Sequence, residues 1–248
     1  MSPRARLVRA AVAIVGLVAI AAACSYLGSW QWRRAGESRA LTARFAAAAE
    51  EPALDAAPAE LGDDLRFRRL AVDGRYVTEP QFLLDNRVRD GVAGYDVLTA
   101  LTLADGRTLL VNRGWVEADA DRSVLPEVAI DGDERAVLGQ LDRLPSPGLR
   151  LGAAYAAAAA RAAVIVVVSP TAQELGSLLG SRPLDYMLSL DAGEPDSFQP
   201  DAEPAVLAPE RHLAYAGQWL LFALGALGAA VAIARGALRA RRAAGPAP

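Results

Sequence analysis

The chain has 248 residues, 53% of them hydrophobic, and a formal net charge of −3 at pH 7. Its one cysteine, Cys24, excludes an intramolecular disulfide and a metal site of paired cysteines. Its one histidine is His212, so the middle of the chain has no His-based catalytic relay. The sequence has no Walker loop, no HExxH helix and no EF-hand loop, so nothing in it favours a hydrolase.

Charge is distributed unevenly along the chain. Every basic residue is arginine, and seven of the arginines lie at the two ends, at positions 4, 6, 9, 235, 239, 241 and 242. All 29 acidic residues lie between Glu37 and Glu210, where the other 19 arginines leave a balance of −10. Because nucleic acid requires a basic surface, this acidic centre disfavours nucleic-acid binding.

Two stretches without formal charge, residues 10–32 and 212–234, predict two membrane-spanning helices. Each has 23 residues, and at about 1.5 Å per residue either one covers a hydrocarbon core of about 30 Å. Arginine-rich flanks stay in the cytoplasm, so we expect both termini inside and the intervening domain outside. The predicted segments are a cytoplasmic tip, a first transmembrane helix, an extracytoplasmic domain, a second transmembrane helix and a cytoplasmic tail, at 1–9, 10–30, 31–211, 212–234 and 235–248.

The first apolar run has an alternative interpretation as a signal peptide. Ala21–Ala23 resembles a small-residue cleavage site, and Cys24 after it could be acylated in a lipoprotein. However, the run continues to Trp30 and Trp32, beyond the apolar core of about 7–15 residues that signal peptides use. Aromatic residues at that position are typical of a membrane interface, which favours a retained helix.

Between the spans, the sequence predicts a mostly antiparallel β domain, barrel-like, with one or two helices, so the fold class is an α+β membrane protein. Its clearest local feature is a hairpin, because Asp105-Gly106 separates two β-prone runs and glycine tolerates the positive φ of a tight turn. The expected strands lie at 67–77, 81–88, 97–103, 108–111, 136–141, 164–168 and 184–190.

Helix signals are local and specific after the strand at 164–168. Ser169 can cap a helix, Pro170 suits its first turn, and Thr171 with Glu174 forms the pattern of a capping box. Gly180 is a suitable end. The remaining expectations are a helix from the first span to Phe45, a linker at 46–64, a helix-compatible or low-complexity stretch at 153–163, and an extended return to the membrane at 191–211.

The segment 112–116, Asn-Arg-Gly-Trp-Val, has two interpretations. It is either a strand end with a glycine turn and a core tryptophan, or a surface on which Arg113 and Trp115 bind a partner. The residue types favour the first interpretation.

His212, Tyr215 and Trp219 are spaced to lie near one face of the second span. They are either an interfacial anchor or, with His212 as an iron ligand, a haem contact. Spacing alone favours the anchor. Gln31 and Gln218 add polar groups nearby if the two spans pack together.

Ordered motifs along nearly the whole chain resemble the surfeit locus protein 1 family of cytochrome c oxidase assembly factors, in a bacterial member. The most specific are Asn-Arg-Gly-Trp-Val at 112–116 and His-Leu-x-Tyr-Ala-x-Gln-Trp at 212–219, supported by Leu-Gly-x-Trp-Gln at 27–31. Two regions depart from the family pattern: the bland stretch 153–163, and 198–201, which lacks an expected tryptophan.

The resemblance implies a non-enzymatic assembly factor of the bacterial inner membrane. It implies that cytochrome c oxidase subunit I is the partner, with haem a synthase as a further candidate, and that haem a is delivered to subunit I. It makes His212 the candidate iron ligand, Tyr215, Trp219, Trp30 and Gln31 haem contacts, and Arg113, Gly114 and Trp115 partner-binding residues. The alternative is a scaffold that binds oxidase subunits without contacting haem.

Overall fold

The computed structural model of the protein describes residues 3–145, 162–200 and 208–243. The predicted stretch 153–163 therefore lies outside the described residues except for its last two. Two compact units divide the chain, one formed by residues 1–43 and 205–248 and the other by residues 44–204. The described elements are helices α1 Pro3–Glu50, α2 Ala172–Leu179 and α3 Pro209–Ala243, and strands β1 Arg69–Tyr76, β2 Gln81–Arg89, β3 Val92–Leu103, β4 Thr108–Glu117, β5 Glu134–Arg143, β6 Val164–Val167 and β7 Pro183–Leu190.

The two terminal helices are long and apolar enough to cross a membrane. The most apolar 18-residue windows of α1 and α3 have mean hydropathies of 2.4 and 1.9, and only 11% and 17% of these windows is buried inside the protein. The core helix of a soluble protein would be mostly covered, so these exposed apolar surfaces support a membrane protein. The predicted segment limits and the sidedness of the domain stay predictions.

Small residues line the packed faces of the helical unit. The buried residues of the two spans include Ala21, Cys24, Ala216, Ala223 and Ala230, and the last three recur every seven residues along one stripe of α3. Such residues let helices approach closely, so that backbone and side-chain atoms of the two helices come into contact.

A closed five-stranded barrel forms the body of the second unit. Its order is β1-β5-β7-β4-β3, and β3 returns to β1 through the pairs Gly74 to Leu103 and Tyr76 to Leu101. β2 and β6 continue the sheet from the other part of β3. The β4–β7 and β2–β6 pairs are parallel and the others antiparallel, so the barrel is mixed. The predicted barrel-like, mostly antiparallel domain is confirmed.

Side chains alternate along the strands, so hydrophobic residues pack on both faces of the sheet. In β4, Leu109 and Val111 join a cluster with Leu70 and Leu188, whereas Leu110 joins a second cluster on the opposite face. Helix α2 contributes Leu175 to that second cluster. The short helix therefore covers the face of the sheet that the barrel leaves outside.

The local predictions are confirmed with two corrections. The hairpin turns at Gly106, whose φ is +83°. Thr171, not Ser169, is the N-cap of α2, because its side chain accepts a hydrogen bond from the backbone N–H of Glu174, which completes the capping box. Helix α1 also continues to Glu50 and shortens the predicted linker.

Candidate functional site

A hydrogen bond joins the two helices of the first unit at Gln31 and His212. The Oε1 atom of Gln31 lies 2.7 Å from Nδ1 of His212. An amide oxygen can only accept, so Nδ1 carries the proton and donates it. In the neutral imidazole this leaves the lone pair on Nε2, the nitrogen that can ligate a metal.

Gly28 brings the helices close one turn away from this hydrogen bond. A Cβ atom at Gly28 would lie 3.5 Å from the carbonyl oxygen of Ala216 and 3.5 Å from Cβ of Trp219. Residues 28 and 31 share a helix face, so the close approach at Gly28 places Gln31 within reach of His212.

The aromatic residues predicted around His212 offer ring surface. Tyr215 is 48% exposed and Trp30 is 40% exposed. The Trp219 ring meets Phe222 edge-on, with centroids 5.9 Å apart. The structure thus brings Gln31 onto His212 directly and leaves Tyr215 and Trp30 available to a flat apolar ligand.

This donor set fits a haem iron. One oriented imidazole nitrogen beside exposed aromatic rings would hold the iron and would give a macrocycle an apolar surface. A single weak ligand also allows release, as a cargo requires. Haem a would then be a cargo and not a resident cofactor, and its binding stays a prediction.

In the second unit, Arg113 is buried inside the domain. Only 3% of it is exposed. Its Nε donates to the carbonyl of Asp196 at 3.0 Å, a terminal nitrogen donates to the carbonyl of Val128 at 2.9 Å, and the guanidinium lies 4.8 Å from the ring centre of Phe198. Burial lowers the pKa of Arg113. In this conformation Arg113 holds two loops together and offers no surface to a partner.

Arg113 and Trp115 also bind this return segment through their backbone groups. Trp115 N–H donates to the Gln199 carbonyl at 2.7 Å, and Phe198 N–H donates to the Arg113 carbonyl at 2.6 Å. At Gly114, φ is +109°, and a Cβ would lie 2.7 Å from the Gln199 carbonyl oxygen. Only glycine fits there. Segment 112–116 therefore fixes the chain that leads back toward α3, and a partner contact by its half-buried tryptophan stays a prediction.

Asp196 and Phe198 are site residues that sequence reasoning missed. The absence of a tryptophan at 198–201 was the only signal, and in the structure Phe198 supplies the aromatic ring that packs on Arg113. Tyr76 belongs to the same neighbourhood: burial raises its pKa to about 12, opposed by the charge of Arg113.

Comparison with known proteins identifies the family. The model of the SURF1 family matches residues 18–224, which is most of the chain and includes both helix segments that meet at Gln31 and His212.

The chain belongs to the SURF1 family.

This family is linked to the assembly of cytochrome c oxidase and is a family of assembly factors, not of enzymes. A SURF1-like protein of Dictyostelium discoideum is 32% identical over 99 residues, which cover 36% of this chain and 37% of that relative. The match thus spans little more than a third of the relative's length.

Proposed function

We propose that this protein is a membrane-bound assembly factor that holds haem a for insertion into subunit I of cytochrome c oxidase. One observation carries the proposal: the hydrogen bond from His212 Nδ1 to Gln31 orients the imidazole and leaves Nε2 as an iron ligand. Family membership supports the oxidase as the destination.

In the proposed setting, the protein lies in a bacterial inner membrane with both termini in the cytoplasm. The arginine-rich outer flanks support this sidedness. His212 then lies at the outer membrane surface, where nascent subunit I and haem a synthase are the proposed partners.

The residues have separate tasks in this proposal. His212 ligates iron reversibly. Gln31 is a positioning residue, which fixes the tautomer and the ring orientation and does not touch the iron. Trp219, Tyr215 and Trp30 contact the ring system of the cargo.

The proposal is tested by measuring haem a retained by the purified full-length protein. His212→Ala is expected to abolish retention, and Gln31→Ala to lower haem affinity about 10–100-fold, as for other residues that orient a metal ligand. Gln173→Ala is the matched control, because it removes the same amide from an exposed position on α2 in the second unit. Equal haem content in the wild type and His212→Ala would refute the ligand role.

The scaffold alternative makes a different prediction for cross-linking in the membrane when haem synthesis is blocked. If the protein carries haem, its contact with subunit I is expected to weaken without haem. Cross-linking of undiminished yield would instead support a scaffold that binds oxidase subunits directly.

A further inference from the structure

A second site lies between the arginine-rich ends of α1 and α3. A cleft of about 490 Å³ opens there, with apolar walls that include Leu7, Ile233 and Gly236, and with Arg6 and Arg241 completing its lining. Its volume falls in the range of about 300–1,000 Å³ that small-molecule sites occupy. Both helices belong to one compact unit, so the cleft is a feature of that unit.

Among the described residues of α1 and α3, the charged side chains nearest to this cleft are arginines. Along α1 the first acidic residue is Glu37, and the only acidic residue of α3 is Glu210. Each lies 31 residues from the arginine that lines the cleft on its own helix, which corresponds to about 46 Å of helix. The cleft therefore favours an anion.

The preference of arginine for the cytoplasmic flanks of membrane spans explains why the helix ends are basic, but not why two arginines line one cleft. That preference is satisfied by arginines at any position near the ends of the spans. It does not require Arg6 and Arg241 to line the same apolar opening between two helices, as they do here. The combination of apolar walls and two lining arginines calls for a ligand with both an apolar chain and an anionic group.

We propose that this cleft binds one anionic phospholipid from the membrane leaflet at these helix ends. An acyl chain lies against Leu7, Ile233 and Gly236, and the phosphodiester accepts hydrogen bonds from Arg6 and Arg241, whose planar donors match phosphate oxygens. Basic pockets between transmembrane helices recognise acidic headgroups in this way. The site is independent of His212 and of haem.

The charged part of the site is tested with a matched pair of double variants. Protein purified in detergent is mixed with phosphatidylglycerol or phosphatidylcholine, and lipids that survive delipidation are counted by native mass spectrometry. Removing one arginine near a headgroup is worth about fivefold in affinity, so Arg6→Gln with Arg241→Gln is expected to lower phosphatidylglycerol retention by about tenfold or more. Arg239→Gln with Arg242→Gln removes the same charge outside the cleft and is expected to change retention less than twofold.

The apolar part is tested with two glycine variants. A Cβ atom at Gly236 would meet nothing within 4 Å, and Gly236 lines the cleft, so Gly236→Leu is expected to place its side chain in the cleft. Gly225 is equally open but does not line the cleft, so Gly225→Leu is the control. Only Gly236→Leu is expected to lower phosphatidylglycerol retention.

Three results would overturn the proposal: equal retention of the two phospholipids by the wild type, equal losses from the two arginine pairs, or unchanged retention in Gly236→Leu. Equal retention of the two phospholipids would show that the protein has no preference for an anion. Equal losses from the two arginine pairs would show that the preference comes from the general positive charge of the helix ends. Unchanged retention in Gly236→Leu would show that the lipid does not bind in the cleft. The two glycine variants carry no charge change, so they decide the question even if an arginine variant fails to fold.

Discussion

Arg113 has a structural role at the scale of single residues. It is a buried cation whose described partners are two backbone carbonyls and an aromatic ring. Hydrogen bonds to a charged group contribute about 1.5–3 kcal/mol each, and removing the side chain also leaves the carbonyls of Asp196 and Val128 without this donor.

We therefore expect Arg113→Ala to lower the free energy of unfolding by about 3 kcal/mol. Arg143→Ala is the control, because Arg143 forms an exposed ion pair with Asp63 and such pairs contribute about 0–1 kcal/mol. Urea unfolding of the purified protein in detergent, followed by circular dichroism, measures both. An equal decrease of the free energy of unfolding in the two variants would contradict the structural role of Arg113 and favour a partner-binding role.

Two buried tyrosines predict how stability depends on pH. Burial raises the pKa of Tyr76 and of Tyr186 to about 12, above the ordinary value of 10.0. Between pH 10 and 12 the unfolded chain loses these protons first, so it binds fewer protons than the folded chain and stability falls as pH rises. The stabilisation is fully present below pH 10.

The chain has no lysine, so tyrosines dominate titration in that interval. The double variant Tyr76→Phe with Tyr186→Phe is expected to flatten the decline in unfolding free energy between pH 10 and 12. Tyr186→Phe also loses the 2.6 Å hydrogen bond to the Pro58 carbonyl, which lowers stability by about 1 kcal/mol below pH 10, where the phenol is protonated. If the unfolding free energy of the double variant declined as steeply as that of the wild type, the decline would not come from Tyr76 and Tyr186.

Sequence reasoning at this scale succeeds where the partner is local. Gly106 and the pair Thr171 and Glu174 act within a few residues of themselves, so their roles could be predicted. The partners of Arg113 lie 15 and 83 residues away, and no spacing rule reaches them. Gln31 was predicted as a nearby polar group, but its contact with His212 spans 181 residues and needed the structure.

At the scale of elements, the close approach of α1 and α3 at Gly28 determines whether Gln31 reaches His212. Gly28→Leu places a large side chain against Ala216 and Trp219, and we expect it to separate the helices and break the hydrogen bond one turn away. Haem retention should fall as it does in Gln31→Ala.

Gly217→Leu is the control for this change, because a Cβ atom at Gly217 would meet nothing within 4 Å. Its haem retention should match that of the wild type. Normal retention in Gly28→Leu would show that the site does not depend on this helix contact.

The elements themselves could largely be predicted from local pattern. Local sequence pattern and turn residues located all seven described strands, but β3 begins five residues earlier and β4 ends six residues later than predicted. Closure of the barrel could not be predicted, because it depends on the pairing of β1 with the far end of β3 and on the parallel pairing of β4 with β7. Both pairings are non-local and leave no local sequence signal.

At the scale of the whole molecule, two membrane-spanning helices and a β barrel agree with membership of the SURF1 family. The opposite ends of the helical pair carry different chemistry: Gln31 and His212 at one end, and Arg6 and Arg241 at the other. We interpret the helices as binding elements as well as anchors.

The central claim is that His212 holds haem a on its way to subunit I. Its most direct test is the haem a content of subunit I isolated from a deletion strain complemented with wild type, His212→Ala or Gln173→Ala. The account predicts normal haem a with the wild type and Gln173→Ala, and loss of the haem a spectrum with His212→Ala while the subunit I polypeptide remains at its normal level. Full restoration of haem a by His212→Ala would contradict it.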